Sequence, residues 1–146
     1  MIFFNNEVTF DGDFDTHVKE YTVVDFDGDE NYEIVASIQY QPNHSYFTFV
    51  VLHFNGQNVY GYWYGIRQMS IIKTDGSYCG SGGAAISIYL RLSFENDRRN
   101  EEVLAVKDYD RGFYELYGQK SSAEEVNQFV SNWNKNEDVE WVKWNP

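Results

Sequence analysis

Apolar and polar residues alternate along most of the chain from residue 18 onward, and this period of two predicts strands. Pro42, Asn55, Gly56 and the Asp75–Gly76 turn interrupt the alternation, and residues 77–83, "SYCGSGG", are typical of a Gly/Ser loop. The predicted strands are residues 18–25, 32–40, 46–54, 58–64, 67–73, 85–94, 101–108, 113–117 and 138–144. In the second of these strands, one face carries Tyr32, Ile34, Ala36, Ile38 and Tyr40, and the other carries Glu33, Ser37 and Gln39.

The period changes near residue 121, where the pattern predicts a helix over about 121–135. Ser121 or Ser122 can cap its N-terminus, and an acidic residue stands three positions later. One apolar stripe follows at helical spacing, formed by Val126, Phe129, Val130 and Trp133. We therefore predict a β-rich α+β fold, with a single antiparallel, meander-like sheet of seven to nine strands. The sheet would be strongly curved or folded on itself, and one late helix and a final strand would complete it.

Length and charge narrow the possible functions. A chain of 146 residues predicts a single domain over residues 1–146, with a poorly defined N-terminal segment at 1–17. The net charge of −12 argues against a nucleic acid or an anionic membrane as partner, because phosphates require a Lys/Arg surface. No apolar run approaches the ~20 residues of a membrane span, so we expect no membrane insertion by this chain.

The stretch "VVDFDGDENYEIV" at residues 23–35 is the main candidate site. Carboxylates at alternate positions of a tight loop can converge on one hard cation, and Ca²⁺ takes six to eight such oxygens. The predicted ligands are the side chains of Asp25, Asp27, Asp29 and Glu33 and the backbone carbonyl of Asn31. The twelfth position of an EF-hand count is Ala36, so the spacing resembles a strand–loop–strand calcium hairpin instead. A structural calcium is one hypothesis, and a hairpin turn filled by Asp and Gly for their turn chemistry is the alternative.

Other stretches carry weaker signals. Asp11, Asp13 and Asp15 form a second acidic run, which we interpret as a solvated loop. Tyr60, Tyr62 and Tyr64 share one face of the 58–64 strand and Trp63 lies on the other, so this run can stack on a sugar or protein ligand or can simply be core.

Nucleophilic chemistry finds little support in the sequence. Ser81 lacks the G-x-S-x-G context of a nucleophile elbow. Cys79 lies in the predicted Gly/Ser loop, and sequence alone does not bring it to His17, His44 or His53. The chain is therefore predicted not to be an enzyme.

Four pieces in order carry a resemblance to a known type of domain: residues 23–35, residues 50–78 with the "GSGGA" loop, residues 117–130, and the ending "DVEWVKW". Together they resemble an extracytoplasmic domain of bacterial surface lipoproteins, mostly from gut-type Gram-positive bacteria, whose activity is not known. The resemblance spans about residues 20–144 and implies a location at the cell surface. The chain departs from the pattern at Glu30, where that domain has a second loop glycine.

Three functional hypotheses follow. The first is a non-catalytic, extracytoplasmic binding or scaffold domain with a protein or carbohydrate ligand and a structural calcium. The second is a cytoplasmic acidic inhibitor, of the immunity-protein type, that masks a basic protein partner. The third is a carboxylate-based hydrolase, for which the sequence selects no particular pair of acids.

Overall fold

A computed structural model describes residues 2–4, 18–39 and 48–145, the first of these ranges as backbone only. The predicted solvated loop at Asp11, Asp13 and Asp15 lies outside the described residues, as do His17, Tyr40 and His44. The described elements are, in chain order, β1 (Ile2–Phe4), β2 (Val18–Val24), β3 (Glu33–Ile38), β4 (Thr48–Phe54), β5 (Val59–Tyr64), β6 (Ile71–Ile72), β7 (Ser77–Gly83), β8 (Ile86–Glu95), β9 (Arg98–Asp108), β10 (Phe113–Leu116), β11 (Gln119–Lys120), α1 (Ala123–Trp133) and β12 (Val142–Lys143).

The strands form two sheets rather than the single sheet that the sequence predicted. Sheet 1 has the order β1-β5-β4-β3-β2-β12, in which β1 is parallel to β5 and the other pairs are antiparallel. Sheet 2 is antiparallel and has the order β11-β10-β9-β8-β7-β6. The β-rich character and the single helix of the described residues agree with the prediction, whereas the single sheet and the strand count were wrong.

The two sheets separate after β5. The N–H of Gln68 donates to the carbonyl of Gly65 and closes a turn. The N–H of Ser70 then donates to the carbonyl of Cys79 in β7, and the N–H of Ser81 in β7 donates to the carbonyl of Arg67 in the turn. The chain therefore leaves sheet 1 at Gly65 and enters sheet 2. Alternation along each strand contained no information about this choice of partner.

Residues 77–83 form strand β7, so the predicted Gly/Ser loop was wrong. A Cβ built on Gly80 would lie 2.3 Å from the carbonyl oxygen of Gln68, because the turn before β6 crosses close to β7. Gly80 therefore allows the turn before β6 to pass close to the backbone of β7. This glycine belongs to a strand and does not mark a loop.

The inner faces of the two sheets share one core. Val35, Val51 and Tyr62 of sheet 1 pack in the same cluster as Tyr78 and Leu92 of sheet 2. Val35 of β3 belongs to this core and lies on the same face of the strand as Glu33 and Ser37, which are also buried. On the other face Ile34 is 42% exposed, but Ala36 and Ile38 are buried, so β3 is covered on both faces over most of its length.

The helix agrees well with its prediction. Ser122 is the N-cap, and Ser122 and Glu125 form a reciprocal capping box. Val126 and Trp133 are buried, and the Trp133 ring packs with Tyr89 at 4.8 Å on a second, smaller cluster. The helix thus covers the face of sheet 2 that points away from sheet 1.

The C-terminal segment connects the two sheets along one side. Asp138 forms a bridge with Lys73 beside β6, whereas Val142 and Lys143 pair with β2 in sheet 1. The predicted continuous strand over 138–144 is therefore split, because the chain changes sheet between these pairings. The buried side chain of Lys73 holds the C-terminal segment in place. Its Nζ lies 2.5 Å from Asp138 Oδ1 and 4.6 Å from the centre of the Trp133 ring.

Candidate functional site

The loop between β2 and β3 is folded tightly around its own aspartates. Asp25 Oδ1 and Oδ2 accept hydrogen bonds from the N–H groups of Gly28 at 2.8 Å and Glu30 at 3.1 Å. Asp29 Oδ1 accepts from the N–H of Asn31 at 2.7 Å. Gly28 and Glu30 both have left-handed φ angles, +78° and +68°, so a non-glycine residue stands at a position that favours glycine.

Three carboxylates meet in this loop. Asp25, Asp27 and Asp29 each place an oxygen within 4.8 Å of the others. Asp27 Oδ2 accepts a hydrogen bond from the N–H of Phe94 at 3.1 Å, and Asp27 Oδ1 is buried with no hydrogen-bond partner among the residues that the structure describes. Three of the five predicted calcium ligands are thus brought together. Carboxylate oxygens of this kind suit Ca²⁺, and water can supply the remaining positions of its shell.

Glu33, the fourth predicted carboxylate ligand, points into the core instead. Its side chain is 1% exposed, and Oε1 lies 2.9 Å from His53 Nδ1 while Oε2 accepts from the N–H of Phe26 at 3.3 Å. Burial raises the pKa of Glu33 against the opposing effect of the hydrogen bond with His53. The prediction that Glu33 closes a calcium shell is therefore wrong, because a histidine 20 residues further along the chain holds it in the core. The fifth predicted ligand, Asn31, lies in the loop and is exposed.

The acidic loop also joins the two sheets. Phe26 is 1% exposed and packs edge-on against Phe94 of β8 at 6.5 Å, next to the hydrogen bond between Asp27 and Phe94. The backbone of Gly76, in the turn before β7, approaches so closely that an added Cβ would lie 2.4 Å from the Phe26 carbonyl oxygen. The loop is thus part of the packing between the sheets.

A groove of about 790 Å³ opens beside this loop. Four carboxyl-bearing residues and one arginine line it, together with exposed apolar and aromatic side chains: Asp25, Asp27, Asp75, Glu140, Arg91, Val23, Tyr32 and Val142. Sequence reasoning missed Asp75, Glu140 and Arg91, because they are brought to the loop from three separate parts of the chain. No local motif marks them.

The aromatic run at β5 belongs mainly to the core. Tyr62 and Tyr64 are 1% and 2% exposed, and their ring faces are covered by other side chains. Tyr60 and Trp63 are half-buried. Tyr62 and Tyr64 therefore present no open ring face to a sugar. This agrees with the alternative interpretation, in which the run is part of the core.

The candidate nucleophile residues Cys79 and Ser81, and the candidate base His53, are buried or hydrogen-bonded in ways that favour a structural role. Burial raises the pKa of the Cys79 thiol, which disfavours its thiolate. The Ser81 hydroxyl donates to the carbonyl of Gly83. His53 pairs with Glu33 and stacks on Phe94 with ring centroids 4.3 Å apart. These three groups stabilise strands and core packing.

Comparison with known proteins gives no relative: no family model, no curated protein and no solved structure matches the chain. Among the residues of the three described ranges, no helix is long and apolar enough to cross a membrane.

Proposed function

We propose that this chain is a non-catalytic, extracytoplasmic binding domain whose acidic loop holds a structural calcium ion. The observation that carries this proposal is the convergence of Asp25, Asp27 and Asp29 at the rim of the groove between the sheets. The ion would neutralise three mutually repelling carboxylates. It would also hold the loop, through Asp27 and Phe26, against β8.

The groove beside the loop is the proposed binding surface. Exposed Val23, Tyr32 and Val142 offer apolar and aromatic contacts, and the carboxylates around them offer hydrogen-bond acceptors. Interfaces commonly combine an apolar centre with a polar rim. The structural surroundings of Cys79, Ser81 and His53 support the non-catalytic part of the proposal.

The cell-surface location rests on the resemblance to lipoprotein domains. We expect that an epitope-tagged product of the complete gene, made in its own host, is degraded when proteinase K is added to intact cells. A cytoplasmic protein in the same cells is the matched control and must survive. Full protection of the tagged protein in intact cells, with degradation after lysis, would contradict an extracytoplasmic location.

One observation favours a second function, that of an acidic inhibitor of a basic protein. Among the described residues that line the groove are four acidic residues, Asp25, Asp27, Asp75 and Glu140, and one basic residue, Arg91; the whole chain has a net charge of −12. Such a surface accelerates association with a basic partner. Protection from the protease favours this function, and a neighbouring reading frame whose toxic product the chain neutralises would support it directly.

A further inference from the structure

A second cavity, of about 290 Å³, lies apart from the acidic groove and between the inner faces of the two sheets. It opens at the end of β5, where the chain leaves sheet 1. The residues that form its walls include Tyr64 of sheet 1 and, from sheet 2, Tyr78, Gly80, Gly82, Ile88 and Leu90. A volume of this size suits a small metabolite better than a polymer.

Two glycines of β7, Gly80 and Gly82, line one side of the cavity and add no side chain to its wall. A Cβ on Gly80 would lie 2.3 Å from the carbonyl oxygen of Gln68, and one on Gly82 would lie 3.3 Å from Ile86 Cγ2. Gly80 is therefore required by the close crossing of the Gln68 backbone, which also lines the cavity. Half-buried Ile88 and Leu90 supply an aliphatic wall to the cavity.

A carboxylate is held at one end of the cavity. Glu101 Oε1 accepts hydrogen bonds from the hydroxyl of Tyr64 at 3.0 Å and the hydroxyl of Tyr78 at 3.2 Å. Burial raises the pKa of both tyrosines, so both remain protonated donors at neutral pH. Glu101 Oε2 has no hydrogen bond within the part of the chain that the structure describes, and it can accept from a ligand.

A guanidinium is held beside this carboxylate. Arg99 lies 4.8 Å above the Tyr64 ring, its Nη1 donates to the Trp63 carbonyl at 3.4 Å, and its Nε lies 3.9 Å from Glu101 Oε1. The side chains of Arg99 and Glu101 are 36% and 35% exposed, so a ligand can reach both. Most of the guanidinium N–H donors are therefore available to a ligand.

We propose that this cavity binds a small zwitterion, an α-amino acid with an aliphatic side chain. Its ammonium group would bind Glu101, its carboxylate would bind Arg99, and its side chain would pack on Ile88 and Leu90. Hydrogen bonds between charged groups are roughly twice as strong as neutral ones, and both protein groups are already positioned. A simple anion or cation would be attracted by one of the two charges and repelled by the other. The inference does not depend on calcium at the acidic loop.

Calorimetric titration of the unaltered chain tests this inference with four probes of similar size: L-leucine, L-leucinamide, 4-methylpentanoate and glucose. We expect saturable binding of leucine alone, with a Kd of about 1 mM or tighter. Because the panel uses the unaltered chain, its result does not depend on the folding of a variant.

The variant Glu101→Gln identifies the site. Its amide oxygen still accepts from both tyrosines, so we expect a similar Tm and leucine binding weakened by about tenfold or more. Glu102→Gln, a change at the exposed neighbour on β9, should leave binding unchanged. The proposal is overturned if leucine does not bind, if a singly charged probe or glucose binds equally well, or if leucine binding survives in a folded Glu101→Gln variant.

Discussion

Replacing Gly76 with alanine is expected to destabilise the protein by about 3 kcal/mol, the largest effect of a single methyl group that we expect in this structure. Two costs add at this position. The φ angle of +79° disfavours any side chain, and the new Cβ would lie 2.4 Å, 2.7 Å and 2.8 Å from backbone atoms of Phe26. Backbone atoms cannot move aside as a flexible side chain can, so the acidic loop and the turn before β7 must separate.

Gly28 provides a matched control for Gly76. Its φ angle of +78° is nearly the same, but no atom lies within 4 Å of an added Cβ. Gly28→Ala should therefore cost only the conformational term, about 1 kcal/mol. Thermal unfolding should show a decrease in Tm of about 6–12 °C for Gly76→Ala and about 2–4 °C for Gly28→Ala. Equal decreases would contradict the close packing of the loop against the second sheet.

Removing the imidazole of His53 is expected to have the second large effect, about 3 kcal/mol or more at neutral pH, because it leaves the buried carboxyl of Glu33 without its partner. The loss should depend on pH. The hydrogen bond with His53 lowers the pKa of Glu33, so the pKa of Glu33 in the folded His53→Ala protein should rise further above its ordinary value. A carboxyl group with a raised folded pKa stabilises the folded state at low pH, and this contribution is lost as pH rises through that value.

The double variant Glu33→Gln/His53→Ala isolates this carboxyl, because both variants lack the imidazole and differ only at position 33. Denaturant unfolding at pH 4.5 and pH 7.5 measures the difference. We expect the single variant to be less stable than the double variant by about 1 kcal/mol or more at pH 7.5, with a smaller difference at pH 4.5. A difference that does not change with pH would show that Glu33 is not the buried acid described here.

The sequence predicted best what neighbouring residues determine. The helix cap at Ser122 and Glu125 and the turn around Gly56 depend on a few adjacent residues, and the structure confirms both. The convergence of Asp25, Asp27 and Asp29 also follows from their spacing in one short loop.

Pairings between distant residues could not be predicted in this way. Alternation gives the two faces of a strand but does not say which face is inner or which strand is its neighbour. The spacing of the acidic residues assigned Glu33 to the metal shell. Its actual partner, His53, lies in another strand, and no local pattern shows that the two are neighbours. Likewise, the glycine at position 80 was interpreted as part of a loop, whereas a close crossing by Gln68 requires it. The groove residues Asp75 and Glu140 meet only after the C-terminal segment has crossed between the sheets.

We propose that calcium stabilises the acidic loop as a joint between the two sheets. An ion that binds only the folded chain must raise its unfolding temperature. Three carboxylates and water suggest a dissociation constant of about 10⁻⁴–10⁻³ M, as in extracellular calcium modules. At about 10 mM calcium, this affinity corresponds to roughly 1.4–2.7 kcal/mol and an increase in Tm of about 3–10 °C.

Thermal unfolding in about 10 mM CaCl₂ and in chelator shows whether calcium binds the folded chain. The comparison includes Asp29→Asn, which removes one exposed ligand, and Asp110→Asn, which removes an equal charge from the exposed turn after β9. We predict that calcium raises the Tm of the unaltered chain and of Asp110→Asn, and that Asp29→Asn loses most of the increase. An unchanged Tm in calcium, or an equal increase in all three proteins, would contradict a calcium site at this loop.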